Sequence, residues 1–188
     1  MPAPVSPDHS PLFPEHSLES APAASRPAMA AVAAKQGYQP AAVGLLASSP
    51  ELLNGFLKMS ALFESTTLDP LSREALIMTV ATRNGCHLCV AMHTARLTAL
   101  GADSGLIAAL RGGSPLPDER LEAVRRFTLA VIESSGAVDD DTLRSFLAHG
   151  YTSRNALEVV LGIGAYTMST LANRMTAAPV DPQLARFA

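Results

Sequence analysis

Apolar residues recur every third or fourth position along most of the chain, and no segment alternates apolar with polar residues over the length of a strand. The breaks between these stretches carry helix start and stop signals. Ser25-Arg26-Pro27 places a cap and a proline ahead of residues 28–36, which Gly37 stops. Pro40 opens a short helix through Leu46. Ser49-Pro50-Glu51 supplies a cap, a proline and an acid ahead of Leu52, Leu53, Phe56, Leu57, Met59, Leu62 and Phe63. Asp69-Pro70 begins the next helix, with Glu74 one turn inside, and Asn84-Gly85 ends it. Another starts at His87 and runs to about Gly101. Asp103, Asp118 and Asp139 each open a further helix, closed by Gly112-Gly113, Ser135-Gly136 and His149-Gly150. His149 complements the C-terminus of its helix. The longest helix runs from about Ser153 to Met175 and repeats Leu157, Val160, Leu161, Gly164, Met168, Leu171 and Met175 along one stripe. Gly162 and Gly164 weaken it locally, which predicts close approach of a neighbouring helix. The pattern predicts a multi-helix all-α chain of eight or nine helices in a single domain.

Residues 1–17 carry five prolines and no periodicity, which predicts an extended arm ahead of a domain spanning 18–188, with His9 and His16 solvated. Hydrophobic residues make up 48% of the 188, charged residues 16%, and the mean hydropathy is +0.20. Such a composition holds more apolar face than one core absorbs, so it predicts a homo-oligomer, with the arm lying across a neighbouring subunit. Net charge is −3 with no extended Lys/Arg run, which leaves no electrostatic footprint for nucleic acid. No apolar run reaches the ~18 residues of a membrane span, and the N-terminus lacks the basic-then-apolar order of a signal peptide. The expectation is a cytoplasmic protein without a membrane partner. A close cysteine pair in that reducing compartment cycles rather than staples.

The only two cysteines fall in Cys86-His87-Leu88-Cys89, with His93 four residues beyond the second and Glu74 twelve before the first. A thiol reacts as its thiolate, so it needs something to lower its pKa and something to take its proton. The predicted helix start near His87 puts both sulfurs in a first turn, where unpaired N–H groups and the positive end of the macrodipole favour negative sulfur. At about 100° per residue Cys86, Cys89 and His93 share one helix face, while His87 points aside. Three readings fit this spacing. Two cysteines can serve as small buried hydrophobes. Cys-x2-Cys with His93 and His87 or Glu74 can supply four zinc ligands, although no second ligand pair exists elsewhere in the chain. A redox dithiol is the third.

Arg73-Glu74, followed by Asn84-Gly85-Cys86-His87-Leu88-Cys89-Val90-Ala91-Met92-His93-Thr94, resembles the signature Glu-x11-Cys-x2-Cys-x3-His. That signature marks the alkyl hydroperoxidase D-like branch of the carboxymuconolactone decarboxylase superfamily. The resemblance extends from Phe13-Pro14 to about Asp181 and is similar in particular to peroxidase-related members. It implies an all-helical fold, assembly as trimers or hexamers, and a cysteine pair that reduces hydroperoxides or passes electrons to a peroxiredoxin. Carried onto this chain, it implies Cys89 as nucleophile, Cys86 as resolving partner, and Glu74 with His93 as a proton relay. It also implies an external dithiol or protein reductant, with no metal or bound organic cofactor. The alternatives are a thiol–disulfide adaptor and a metal-binding or structural oligomer. The chain departs from the family pattern twice. Leu88 stands where related chains have a relay histidine, with His87 one position earlier, and Asn173-Arg174 replaces a C-terminal Asn-His. Lactone decarboxylases of the superfamily lack the cysteine pair, so Cys86 and Cys89 argue against decarboxylation.

Overall fold

A computed structural model of the protein describes residues 12–188. Nine α-helices follow one another in these residues, with no strand among them: α1 Arg26–Gln36, α2 Ala41–Leu46, α3 Pro50–Glu64, α4 Pro70–Arg83, α5 His87–Ala99, α6 Ser104–Gly112, α7 Glu119–Glu133, α8 Asp140–Ala148 and α9 Ser153–Met175. A 3-10 segment, Pro182–Phe187, closes the chain.

Local chemistry explains where these helices begin. The side chains of Ser49, Asp69, Asp103, Asp118, Asp139 and Thr152 each accept a backbone N–H of the first turn they precede. Each such cap contributes about 1 kcal/mol. Gly37 and Gly113 end their helices in the left-handed conformation. At the end of α8, His149 Nδ1 meets the carbonyl of Ser145 at 2.7 Å.

Helix α4 is the axis of the molecule, packed by α5, α6, α7 and α9. Its Leu76, Met78, Val80 and Ala81 are fully buried, as expected of a helix enclosed on every side. The largest core joins α3, α4, α7, α8 and α9 through Phe63, Leu76, Val124, Phe127, Phe146 and Val159. A second joins α4 to α5 and α6 through Met78, Leu97, Leu106 and Leu110. A small fourth cluster consists of Ala81, Cys86, Leu88 and Cys89, covered by Ala42, Ala178, Val180 and Leu184. The C-terminal segment therefore lies over the cysteine pair.

One expectation about α9 changes. Close approach holds at Gly162, where a Cβ would lie 2.6 Å from the Phe63 ring and 2.8 Å from Leu76, but not at Gly164, where the nearest atom is 3.6 Å away. The apolar stripe points outward: Leu157, Val160, Leu171 and Met175 are 51–73% exposed. The inward face instead carries Asn155, Glu158, Tyr166, Ser169, Thr170 and Asn173. Asn155 and Glu158 bond Thr67 in the loop after α3, and Tyr166, Thr170 and Asn173 reach Ser60, Asn84 and Cys89, which is why that face tolerates burial.

Attachment to the body begins before residue 18. Phe13 packs against the core formed by α1, α2 and α3, His16 N–H donates to the Gly44 carbonyl at 3.1 Å, and Gln39 donates to the His16 carbonyl at 2.8 Å. A Cβ at Gly44 would meet that carbonyl at 2.8 Å, so the glycine admits the segment. His16 is half-buried rather than solvated, and this stretch crosses the chain's own α2. His9 and the rest of 1–11 lie outside the described residues. No helix among the described residues is long and apolar enough to cross a membrane.

Candidate active site

The turn between α4 and α5 is built around Gly85. With φ +64° it takes the left-handed conformation, its N–H donates to Thr82 O, and the Cys86 N–H donates to Ala81 O at 2.9 Å. These two bonds form the Schellman closure of α4, whose positive φ favours glycine. Cys86 then serves a second helix. It is the N-cap of α5, and its Sγ accepts the Cys89 N–H at 3.4 Å. One residue thus ends α4 and starts α5, which holds its sulfur at the positive end of the second helix. Cys86 and Cys89 are both free thiols, 2% and 5% exposed.

One turn along the same face of α5 stands His93. Its Nδ1 lies 2.7 Å from Oε2 of Glu74, which is buried on α4. The other Glu74 oxygen accepts from Arg96 Nε at 3.0 Å, and Arg96 bonds Glu64 of α3 at 2.8 Å. The imidazole packs edge-on against Tyr166 of α9, whose hydroxyl lies 3.3 Å from Ser60. With Nδ1 held by a carboxylate, Nε2 is the ring nitrogen left to exchange a proton.

Helix α9 supplies the rest of the site. Asn173 Nδ2 donates to Cys89 Sγ at 3.4 Å, and Arg174 donates to the carbonyl of Asn84. A Cβ at Gly85 would sit 3.6 Å from the Arg174 guanidinium, so the cation lies over the α4–α5 turn. The two thiols are driven apart in pKa. Cys86 is lowered by the thiol hydrogen of Cys89, then by the Cys89 N–H, Arg174 and Asn173, which together outweigh its burial. Cys89 is raised by its hydrogen bond to Cys86, by burial and by the neighbouring negative charge. The difference favours charge on Cys86 over Cys89.

Of the sequence-predicted residues, Cys86, Cys89, His93 and Glu74 lie along the α4–α5 seam. His87 does not join them. As the first residue of α5 it is exposed and has no hydrogen-bond partner among the described residues, while Leu88 turns inward to the cluster under the C-terminal segment. Among the described residues no three His, Cys, Asp or Glu side chains gather closely enough to hold a metal ion. A cavity of about 340 Å³ between α7 and α8, lined in part by Glu119, Phe127, Thr142 and His149, contains none of the thiol residues. Asn173 and Arg174 went unpredicted as site residues. The one sequence signal for them was the departure from Asn-His at that position.

The sequence model of the Carboxymuconolactone decarboxylase family matches residues 50–134, the stretch from α3 through α7 that contains both cysteines, Glu74 and His93. That match spans less than half of the chain, and likeness to solved structures carries the fold over the rest. A peroxidase-related protein with an alkylhydroperoxidase AhpD core from Ralstonia eutropha JMP134 is 22% identical, covers 92% of this chain and 93% of its own, and superposes with a TM-score of 0.79. A peroxidase-related protein from Silicibacter sp. TM1040 gives 20% identity, 96% and 97% coverage and a TM-score of 0.77. The debrominase Bmp8 shares the fold at 14% identity, 95% and 96% coverage and a TM-score of 0.74. A search of curated proteins by sequence finds no significant match.

Proposed function

We propose that the chain is a thiol peroxidase that reduces hydroperoxides through a Cys86–Cys89 dithiol/disulfide cycle. The observation that carries this reading is a pair of buried free thiols at the start of one helix, one turn from an imidazole held by a buried carboxylate. Burial under the C-terminal segment favours a small electron acceptor over a folded protein, which weighs against the adaptor alternative.

The groups around the two sulfurs differ in kind. Cys86 has those that stabilise charge; Cys89 has those that manage protons. In the proposed cycle the Cys89 proton passes to Cys86, and the Cys89 thiolate attacks the distal oxygen of the hydroperoxide. The S–O bond forms, the O–O bond breaks, and the leaving alkoxide takes a proton delivered through His93 and Glu74. The Cys86 thiol then attacks the sulfenic sulfur, and water leaves as the disulfide forms. An external dithiol, or a protein reductant that displaces the C-terminal cover, restores the pair by exchange. The oxygen transfer itself uses no metal or organic cofactor.

Peroxide consumption by the reduced protein tests the reading. Wild type should consume about one equivalent rapidly, and Cys89→Ser should lose the reaction. No consumption by wild type would reject it. Oxidation by a halogenated pyrrole in place of peroxide would move the chemistry toward that of the debrominase sharing this fold.

The outward stripe of Leu157, Val160, Leu171 and Met175 supports the further reading that copies of the chain assemble; trimers or hexamers in the cytoplasm are the form proposed from the sequence resemblance and composition. Light scattering at micromolar protein decides it, since a persistent mass near 19.6 kDa is that of one chain.

A further inference from the structure

Among the described residues two buried side-chain atoms lack a hydrogen-bond partner: Thr128 Oγ1 and Asn173 Oδ1. The second belongs to the amide whose Nδ2 holds the sulfur of Cys89. Asn173 is 6% exposed, so this carbonyl oxygen is an acceptor withdrawn from solvent beside a reactive sulfur. An unpaired buried acceptor is costly to a fold, and beside a reactive sulfur a catalytic role is one that explains it.

The chemistry of a hydroperoxide complements this amide. Its distal oxygen, the one a thiolate attacks, carries a hydroxyl hydrogen that stays on that oxygen as the S–O bond forms. We propose that Asn173 is a catalytic residue whose Oδ1 accepts the hydroxyl hydrogen of the incoming hydroperoxide while its Nδ2 holds Cys89 Sγ. The two ends of one planar group then set the distal oxygen against the sulfur. The step balances as Cys89 thiolate plus ROOH plus one proton giving Cys89 sulfenic acid plus ROH. The distal hydroxyl remains hydrogen-bonded to Oδ1 throughout, and the sulfenic acid inherits that bond. The carbonyl thereby selects electrophiles with a hydroxyl on the attacked atom over those without one. This inference rests on the thiol peroxidase reading and adds to it the residue that recognises the substrate.

Three reagents and two substitutions test it on the reduced full chain. Iodoacetamide alkylates a thiolate without presenting a hydroxyl at the attacked carbon, whereas hydrogen peroxide and tert-butyl hydroperoxide both present one. Asn173→Leu keeps the volume and removes both polar ends; Asn173→Asp keeps acceptor oxygens and removes the N–H donor. At one fixed pH, Asn173→Leu should slow oxidation by either hydroperoxide by about 10- to 100-fold, while alkylation of Cys89, located by peptide mapping, changes by less than about twofold. Asn173→Asp should keep the wild-type ratio of the two reactions, with its alkylation profile displaced to higher pH by the added negative charge. Should the Leu variant fail to fold, Asn173→Ala carries the same expectations. Equal losses in both reactions, or wild-type oxidation in a folded Leu or Ala variant, would overturn the role of Asn173 and leave the peroxidase reading standing. A wild-type protein inert to both hydroperoxides would overturn that reading instead, and with it the substrate recognised here.

Discussion

Two glutamates are buried in this molecule, and they are held in opposite ways. Glu158 on α9 accepts the backbone N–H and hydroxyl of Thr67, the amide of Asn155 and the guanidinium of Arg154, at 2.8–3.0 Å. Three of its four partners never change protonation at ordinary pH, and the fourth is an arginine. Glu74 on α4 has two partners, and one is an imidazole. Glu158 is saturated with fixed donors and pins the loop after α3 to the start of α9. Glu74 is bonded to a group that can gain or lose a proton, one turn along α5 from Cys89. Burial and ion pairing alone therefore do not mark a functional carboxylate; the nature of the donor separates the two.

The sharpest way to break this comparison is to neutralise each carboxylate without changing its shape. Glu74→Gln should lower peroxide turnover by about 10- to 10³-fold, the range for losing acid–base assistance. Arg96 keeps Glu64 as partner, so the protein should remain folded. Steady-state kinetics beside a melting curve checks both halves. Glu158→Gln should do the reverse. It turns one acceptor oxygen into a donor facing donors and should cost about 1–3 kcal/mol of stability, with peroxide kinetics within about twofold of wild type. Denaturant unfolding reads that loss.

A smaller effect follows from pH. Burial alone would raise the Glu158 carboxyl, but the Thr67 N–H, the Thr67 hydroxyl, Asn155 and Arg154 together hold it below the usual value of 4.5. Such a group stabilises the fold fully above its unfolded pKa, and the contribution is lost as pH falls through its lower folded value. Wild-type stability should therefore decline below about pH 4.5, and the decline should be shallower in Glu158→Gln. Unfolding midpoints between about pH 3 and 6 measure the slope. The smallest effect concerns Arg174, which is exposed and acts on Cys86 from α9. Arg174→Met should move the alkylation profile of the first thiol to higher pH by less than about one unit, because solvent screens the cation.

The contrast also explains what the sequence made legible. Ser49, Asp69, Asp103, Asp118 and Asp139 could be read as helix starts because a cap acts within its own first turn. Cys86, Cys89 and His93 could be read together because they lie within two turns of one helix, and Glu74 because its helix runs directly into theirs. Asn173 could not, since its contact with Cys89 spans 84 residues and no local pattern records it. The inward face of α9 was not legible for a related reason. Its apolar stripe obeyed helical spacing, but the polar face was buried because Glu158, Tyr166, Thr170 and Asn173 find partners on α3, α4, α5 and the loop after α3. Periodicity locates an apolar face and does not say whether the chain itself covers it. His87 shows the converse: one position along a helix is enough to turn a histidine to solvent and a leucine inward.

The most direct test of the central claim is to locate the first oxidation. Each single-cysteine variant, reduced and exposed to one equivalent of hydroperoxide in the presence of a sulfenic acid trap, is mapped by mass spectrometry. The account predicts a trapped sulfenic acid on Cys89 in Cys86→Ser, little on Cys86 in Cys89→Ser, and an intramolecular disulfide without covalent dimers in wild type. A sulfenic acid forming as fast on Cys86 as on Cys89, or no oxidation of either sulfur, would contradict it.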